Sequence, residues 1–189
     1  MGVKLNLGCG FDRRREFVNV DICGDPDIRV NLETFPWPWK DNSVDEVLLR
    51  HVLEHLGAEE EVHFNVLKEL YRVCADGAAV NIFVPHPRHD DFLDDPTHVR
   101  VITPGGLRLL SKANNREWIE NGCSNTPLAL YLDVNFEIAG VDYILDPVWE
   151  KLLDGKGCEI KRQAGKRYNN VIREVQILMK AIKKHDEKA

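Results

Sequence analysis

Residues 4–10, KLNLGCG, run a short apolar strand straight into a turn with glycine at alternate positions, and residues 17–22, FVNVDI, bring a second strand to Asp21. Asp21 lies eleven residues past the second glycine. Glycines let backbone approach a ligand where a side chain would clash, and a carboxylate at the next strand end can accept bonds from both hydroxyls of a ribose. The pairing reads as a site for a nucleoside cofactor. A dinucleotide fingerprint needs a third glycine three residues after the second, with its acidic partner about 20 residues further on. Arg13 stands at that third position and Asp21 comes too soon. A phosphate-binding loop needs Lys followed by Ser or Thr after its last glycine. Phe11 and Asp12 follow instead, so both phosphate readings weaken.

Further along, the chain turns at CGDPD and re-enters an apolar strand, IRVNL, that ends near Asn31. A Pro-rich loop, ETFPWPWKDNS, leads to the strand VDEVLLR at 44–50 and then to HVLEHL. Between Glu59 and Val73 the apolar residues Val62, Val66, Leu67, Leu70 and Val73 recur at steps that predict an amphipathic helix ended by Asp76 and Gly77. AAVNIFV then makes a buried strand closing at Pro85. HPRHDDFLDDPTHVR is a polar loop, Pro104 opens a helix through about Ala113, residues 134–145 alternate as a strand, and VWEKLL forms a short helix. Alternation at Val175, Ile177 and Met179 predicts a strand over 171–182. Strands alternating with helices argue an open, largely parallel α/β sheet. Only seven residues separate Gly10 from Val18, whereas a parallel crossover takes a dozen or more, so the early connections are shortened.

The 189 residues, 43% of them hydrophobic, suit one domain, taken as 1–184 with a polar tail at 185–189. The five cysteines include no CxxC pair and fit free thiols in a reducing cytoplasm. No apolar run reaches the length of a membrane span, and no secretory leader is read at the N-terminus. Residues 1–150 hold 14 Lys or Arg against 26 Asp or Glu, while residues 151–184 hold 10 against 3. The acidic body argues against nucleic acid as a partner; the basic segment could hold one anionic group or simply be a solvated surface.

LNLGCG, FVNVDI, FPWPWKDNSVDEVLLRHVLEHL, ELYRVCADGAAVNIFVPH and DPTHVRVITPGGL resemble, in that order, the class I S-adenosylmethionine (SAM) methyltransferases, and most of all a small group with HVLEHL after the fourth strand. The resemblance spans nearly the whole chain. It implies a Rossmann-like, mostly parallel seven-stranded sheet, SAM as cofactor, and transfer of a methyl group to an oxygen or nitrogen nucleophile. Carried over residue by residue, it puts the backbone of Gly8 and Gly10 against the methionine part, with Cys9 and Ile22 in the same shell. Asp21 takes the ribose hydroxyls. Asn31 matches the position that bonds the adenine amine, with Leu32 supplying backbone, and Arg50 and His51 border the pocket. Asn6 stands where the family more often has an acid near the ammonium group, so its contact would be weaker. Taken singly, Asp21 and Asn31 could be turn residues and His51 a satisfied interior histidine.

Acceptors protonated at neutral pH need a base, and two clusters offer one: His51, Glu54 and His55, and the loop set from His86 to His98. His98 is the first choice and His51 the second, with no metal expected. HxxEH at 51–55 is also the spacing of an inverted zinc-peptidase motif, which would need a third ligand such as Glu120 or Glu137. A SAM-binding module without catalysis, or a partner-binding protein, is the remaining alternative. The acceptor reads as a small polar metabolite or glycan, because the body is acidic and no stacking stripe for bases is visible. The shortened connections would leave one sheet face thinly covered, to be capped by residues 147–165 or by a second copy in a homodimer.

Overall fold

The computed structural model describes residues 2–183, so the expected tail at 185–189 lies outside the described residues. Seven strands form one sheet: β1 (Val3–Leu7), β2 (Val18–Asp21), β3 (Ile28–Arg29), β4 (Val44–Arg50), β5 (Cys74–Pro85), β6 (Phe136–Leu145) and β7 (Ile172–Ala181). Their order is β3-β2-β1-β4-β5-β7-β6. The first five pair in parallel, and β7 runs antiparallel between β5 and β6. This is the expected open α/β sheet. It places the turns after β1, β2 and β4 together at the carboxyl edge, where such sheets bind ligands.

Leu5, Leu7, Val20, Val47, Val80 and Ile82 fill the sheet's centre, each fully buried. Helix α1 (Glu60–Val73) lays Val66, Leu67, Leu70 and Val73 on this core, as its spacing predicts. The chain then enters β5 directly at Cys74, four residues earlier than AAVNIFV suggests, because Cys74 pairs with Val44. The loop after β5 carries one helical turn, α2 (Asp90–Leu93). The helix expected from Pro104 to Ala113 is instead α3 (Pro104–Leu107), a 3-10 turn, and α4 (Lys112–Glu120). Ser111 makes the break by accepting a bond from the Asn114 amide and so capping a new helix. Helix α5 (Leu128–Leu132) was not signalled by periodicity because it is barely a turn and a half.

The short link between β1 and β2 is held by side chains in place of a helix. Asn19, 4% exposed, donates from Nδ2 to Asp27 Oδ2 at 2.7 Å and to the carbonyls of Arg14 and Phe17. Its Oδ1 accepts from the Arg14 amide at 2.7 Å and from Asn6 Nδ2 at 3.0 Å. Arg13 closes the network with ion pairs to Asp25 and Asp27. Asn19→Ala would strand several of these groups, so we expect a loss of about 1 to 3 kcal/mol in urea denaturation. An unchanged midpoint and slope would show the network to be dispensable.

The expectation that residues 147–165 fold back over β1–β3 is overturned. Helices α6 (Pro147–Leu152) and α7 (Cys158–Arg167) form a separate small cluster in which Leu153 and Ala164 meet Leu145, Trp149 and Val171. Arg88 fastens α7 through the carbonyls of Gly165 and Lys166. Helix α7 buries only Ala164 and Gly165, too faint an apolar pattern to read from sequence.

Candidate active site

A cavity of about 330 Å³ opens at the carboxyl edge, lined by Gly8, Asp21, Ile22, Asn31, Leu32 and His51 from the predicted set and by Val30, Glu33, Val52, His55 and Leu56 beside them. That volume is at the lower end of small-molecule sites, about 300 to 1,000 Å³. Gly8 has φ +66°, and a Cβ there would lie 2.5 Å from Val52 Cγ2, so the turn closes only with glycine. Gly10 has φ +50° and open space where its Cβ would be.

Asp21 is fixed by two backbone donors, Gly10 N at 2.8 Å to Oδ2 and Cys23 N at 2.9 Å to Oδ1. Each oxygen keeps a second lone pair, so the strand-end turn and a ribose contact coexist in one carboxylate. Asn31 also caps a turn: its Oδ1 accepts from Glu33 N at 2.9 Å. The Leu32 carbonyl is taken by the Trp37 indole at 3.0 Å, leaving the Leu32 side chain as the part that lines the cavity. Glu33 accepts from the Gly57 amide at 2.7 Å, tying the β3 loop to the segment after β4.

Three expected positions need correction. Asn6 is 2% exposed, and its amide is spent on Asp12 O at 2.7 Å and on Asn19, so it serves the β1–β2 link and not the cavity. Cys9 is buried with its thiol toward the Gly10 carbonyl, and burial, then Asp21, raises its pKa. Arg50 lines a neighbouring cavity of about 260 Å³ with His51, Asp91, Ile144, Arg173 and Glu174, and its guanidinium lies 5.2 Å from the Phe83 ring centroid. His51 borders both cavities.

His51 has φ +54° and sets both ring nitrogens on carboxylates, Nε2 at 2.9 Å from Glu174 Oε2 and Nδ1 at 3.5 Å from Glu54 Oε1. Glu54 first, then Glu174, raises its pKa against the opposing effect of burial. A raised pKa favours the protonated ring, in which neither nitrogen can accept a proton, and this weighs against the role of base expected of His51. His51 also precedes the 3-10 turn (Leu53–His55) instead of sharing a helix face with His55, so the zinc-peptidase geometry is not formed. Glu54, His55 and His98 converge instead, with one ligand atom from each within 4.8 Å of the others. Glu120 and Glu137 lie elsewhere, on α4 and β6.

His98 is held by its ring. Its Nδ1 lies 2.8 Å from the Phe92 carbonyl, it stacks on Phe92 at 5.1 Å, and it lies 4.6 Å from His55 between centroids. A carbonyl only accepts, so Nδ1 carries a proton, which leaves Nε2, 3.8 Å from Asp95 Oδ2, as the nitrogen that can offer a lone pair.

Residues 5–82 match the family model described as a methyltransferase domain. The chain is also similar to a SAM-dependent methyltransferase from Archaeoglobus fulgidus, at 17% identity and TM-score 0.62, over 95% of this chain and 86% of that one. A SAM-dependent methyltransferase from Methanosarcina mazei aligns at 13% identity and TM-score 0.54, over 96% and 92%. Residues 5–82 carry the match to a methyltransferase domain, and the described chain has the class I SAM-dependent methyltransferase fold. A third similar structure, at 10% identity and TM-score 0.54 over 96% and 71%, is the Burkholderia thailandensis 1,6-didemethyltoxoflavin-N1-methyltransferase with 1,6-didemethyltoxoflavin and S-adenosylhomocysteine bound. No curated protein sequence matches. The methyltransferase's residues fit its cofactor, SAM. A carboxylate with spare lone pairs, an exposed Ile22 and a glycine turn without a side chain meet at one cavity, and no lysine for phosphate lines it. Among the described residues no helix is long and apolar enough to cross a membrane.

Proposed function

We propose that this methyltransferase modifies an oxygen or nitrogen nucleophile of a small polar metabolite or glycan. The observation that carries the reading is the meeting of two cavities at His51: one is lined for a nucleoside, and the other, of about 260 Å³, is polar and walled by Arg50, Asp91, Arg173 and Glu174. Its wall offers two cations and two carboxylates to hydroxyl-rich or charged groups, without aromatic rings on which a base would stack.

When bound, SAM supplies the activated methyl on its sulfonium, and the protein's task is to place the two reactants in line. Asp21 binds the ribose through its spare lone pairs, while the Gly10 and Cys23 amides hold it in place. Leu32 and Ile22 give the apolar walls. The His86–His98 loop contributes Asp91 to the acceptor side, and His98 prepares the acceptor through its free Nε2 lone pair. The cysteines, free in the structure, suit a reducing cytoplasm.

Calorimetric titration with S-adenosylhomocysteine tests the cofactor half. One site per chain is expected, with Asp21→Ala weakening it by roughly 1 to 3 kcal/mol through the loss of charge-assisted bonds. Asp21→Asn, which can still cap the Gly10 amide, separates a ribose contact from a loop effect. Wild-type affinity in both folded variants would remove Asp21 from the site. Screening candidate acceptors for S-adenosylhomocysteine release tests the other half.

A further inference from the structure

We propose that Glu54, His55 and His98 bind one divalent transition-metal ion at the wall of the cofactor pocket. The starting point is Glu54. It is 0% exposed, and among the described residues no hydrogen-bond donor reaches either carboxylate oxygen. His51 Nδ1, at 3.5 Å, is too distant for a well-formed hydrogen bond. The ion pair with His51 offsets part of the cost of burying this carboxylate, but both oxygens stay without a hydrogen bond, and a metal ion would satisfy them. The groups facing it are of the right kind, since Glu54, His55 and His98 bring one ligand atom each to within 4.8 Å of one another.

Both imidazoles have Nδ1 engaged, which leaves Nε2 for coordination. His98 Nδ1 donates to the Phe92 carbonyl at 2.8 Å. His55 Nδ1 lies 3.2 Å from the Thr97 carbonyl and 3.0 Å from Thr97 Oγ1, which itself donates to Asp95 Oδ1 at 2.6 Å. Holding the Nδ1 proton on a carbonyl leaves Nε2 as the lone pair, the outer-sphere arrangement that positions metal-bound histidines. Asp95 Oδ2, 3.8 Å from His98 Nε2, stands close behind the cluster. Two imidazoles and a carboxylate suit Mn²⁺, Fe²⁺, Co²⁺ or Zn²⁺ better than Mg²⁺, and three protein ligands leave positions open, as in catalytic sites.

His55 belongs to both the cluster and the cofactor pocket, so those open positions adjoin the place where the acceptor must meet the methyl group. This narrows the acceptor to an oxygen nucleophile, a hydroxyl whose acidity the ion raises. That narrowing rests on the methyltransferase reading; the ion site itself does not. In the loaded protein the His98 lone pair is occupied by the metal, and His98 acts on the acceptor through the ion instead of as a free base.

The test uses chelator-treated full-length protein titrated with Mn²⁺ and followed by electron paramagnetic resonance. Mn²⁺ is preferred because the exposed Cys23, Cys123 and Cys158 would compete for zinc. One bound Mn²⁺ per chain is expected. Glu54→Gln and His98→Gln should each weaken it by about 100-fold or more, at or beyond the upper end of what loss of an outer-sphere partner costs. If Glu54→Gln fails to fold, His98→Gln decides alone. No binding up to millimolar Mn²⁺, or wild-type affinity in folded variants, overturns the site. S-adenosylhomocysteine affinity is measured on the same samples: cofactor bound without Mn²⁺ defeats the ion site alone, and Mn²⁺ bound without cofactor defeats the methyltransferase reading alone. Turnover that Mn²⁺ stimulates for amine acceptors and not for hydroxyl acceptors would overturn the assignment to oxygen.

Discussion

His98→Ala is expected to lower turnover on a hydroxyl acceptor by roughly two to four orders of magnitude, the usual contribution of a group that manages the acceptor's proton. S-adenosylhomocysteine affinity should stay as in the wild type, because His98 does not line the cofactor cavity. The size of the effect follows from how the ring is held. Phe92 fixes it twice, through the bond from Nδ1 and through ring stacking, so the ring is set before any substrate arrives. The variant loses the ring's Nε2. Steady-state S-adenosylhomocysteine release and calorimetry on the same preparations give the two numbers. Equal turnover in variant and wild type would take His98 out of the mechanism. Loss of cofactor binding would move it into the folding of the 86–98 loop.

Gly8→Ala should be the most damaging small change in the first turn, costing about 2 to 6 kcal/mol. Two penalties add: a left-handed backbone for a residue with a Cβ, about 1 to 3 kcal/mol, and overpacking of a filled space, about 1 to 3 kcal/mol. The second arises because the new methyl would meet Val52 Cγ2 at 2.5 Å and Cγ1 at 2.8 Å. Val52 is 7% exposed and lines the cofactor cavity, so any escape by Val52 narrows the pocket. Gly10→Ala is the control, with a similar φ and no neighbour within 4 Å of the added carbon. Thermal or urea unfolding of the two variants compares the terms directly. Equal losses would show that backbone conformation alone accounts for both.

The strand VDEVLLR is legible residue for residue because its alternation and its flanking turns agree, and β7 is legible because Val175, Ile177 and Met179 all face the core. The glycine turn and the strand-end Asp21, which line the first cavity, were equally plain, since both are local features. The other end was not. Val52, His55 and Leu56 reach the cavity from a 3-10 turn with no apolar period of its own, and Glu33 acts through a bond to Gly57, 24 residues away. Asn6 misled because its position in the motif says nothing of Asn19, which claims it across the strand pair. The surroundings of His51 were only half legible: Glu54 is three residues on, but Glu174, 2.9 Å from its Nε2, lies 123 residues later.

The two ends of the sheet differ in how firmly the backbone is tied down. Strand β5 pairs along much of its length with both β4 and β7, while β3 contributes two paired residues at an open edge, both exposed. Local opening should therefore cost least at β2–β3 and most at β4–β5–β7, a gradient that amide hydrogen exchange would record. Asp21 and the Asn31 turn belong to the loosely tied end. On the proposed reading the ligand must order the part of the protein that it grips, and some of its contact energy goes into that ordering, so the nucleoside affinity also measures how readily this edge opens.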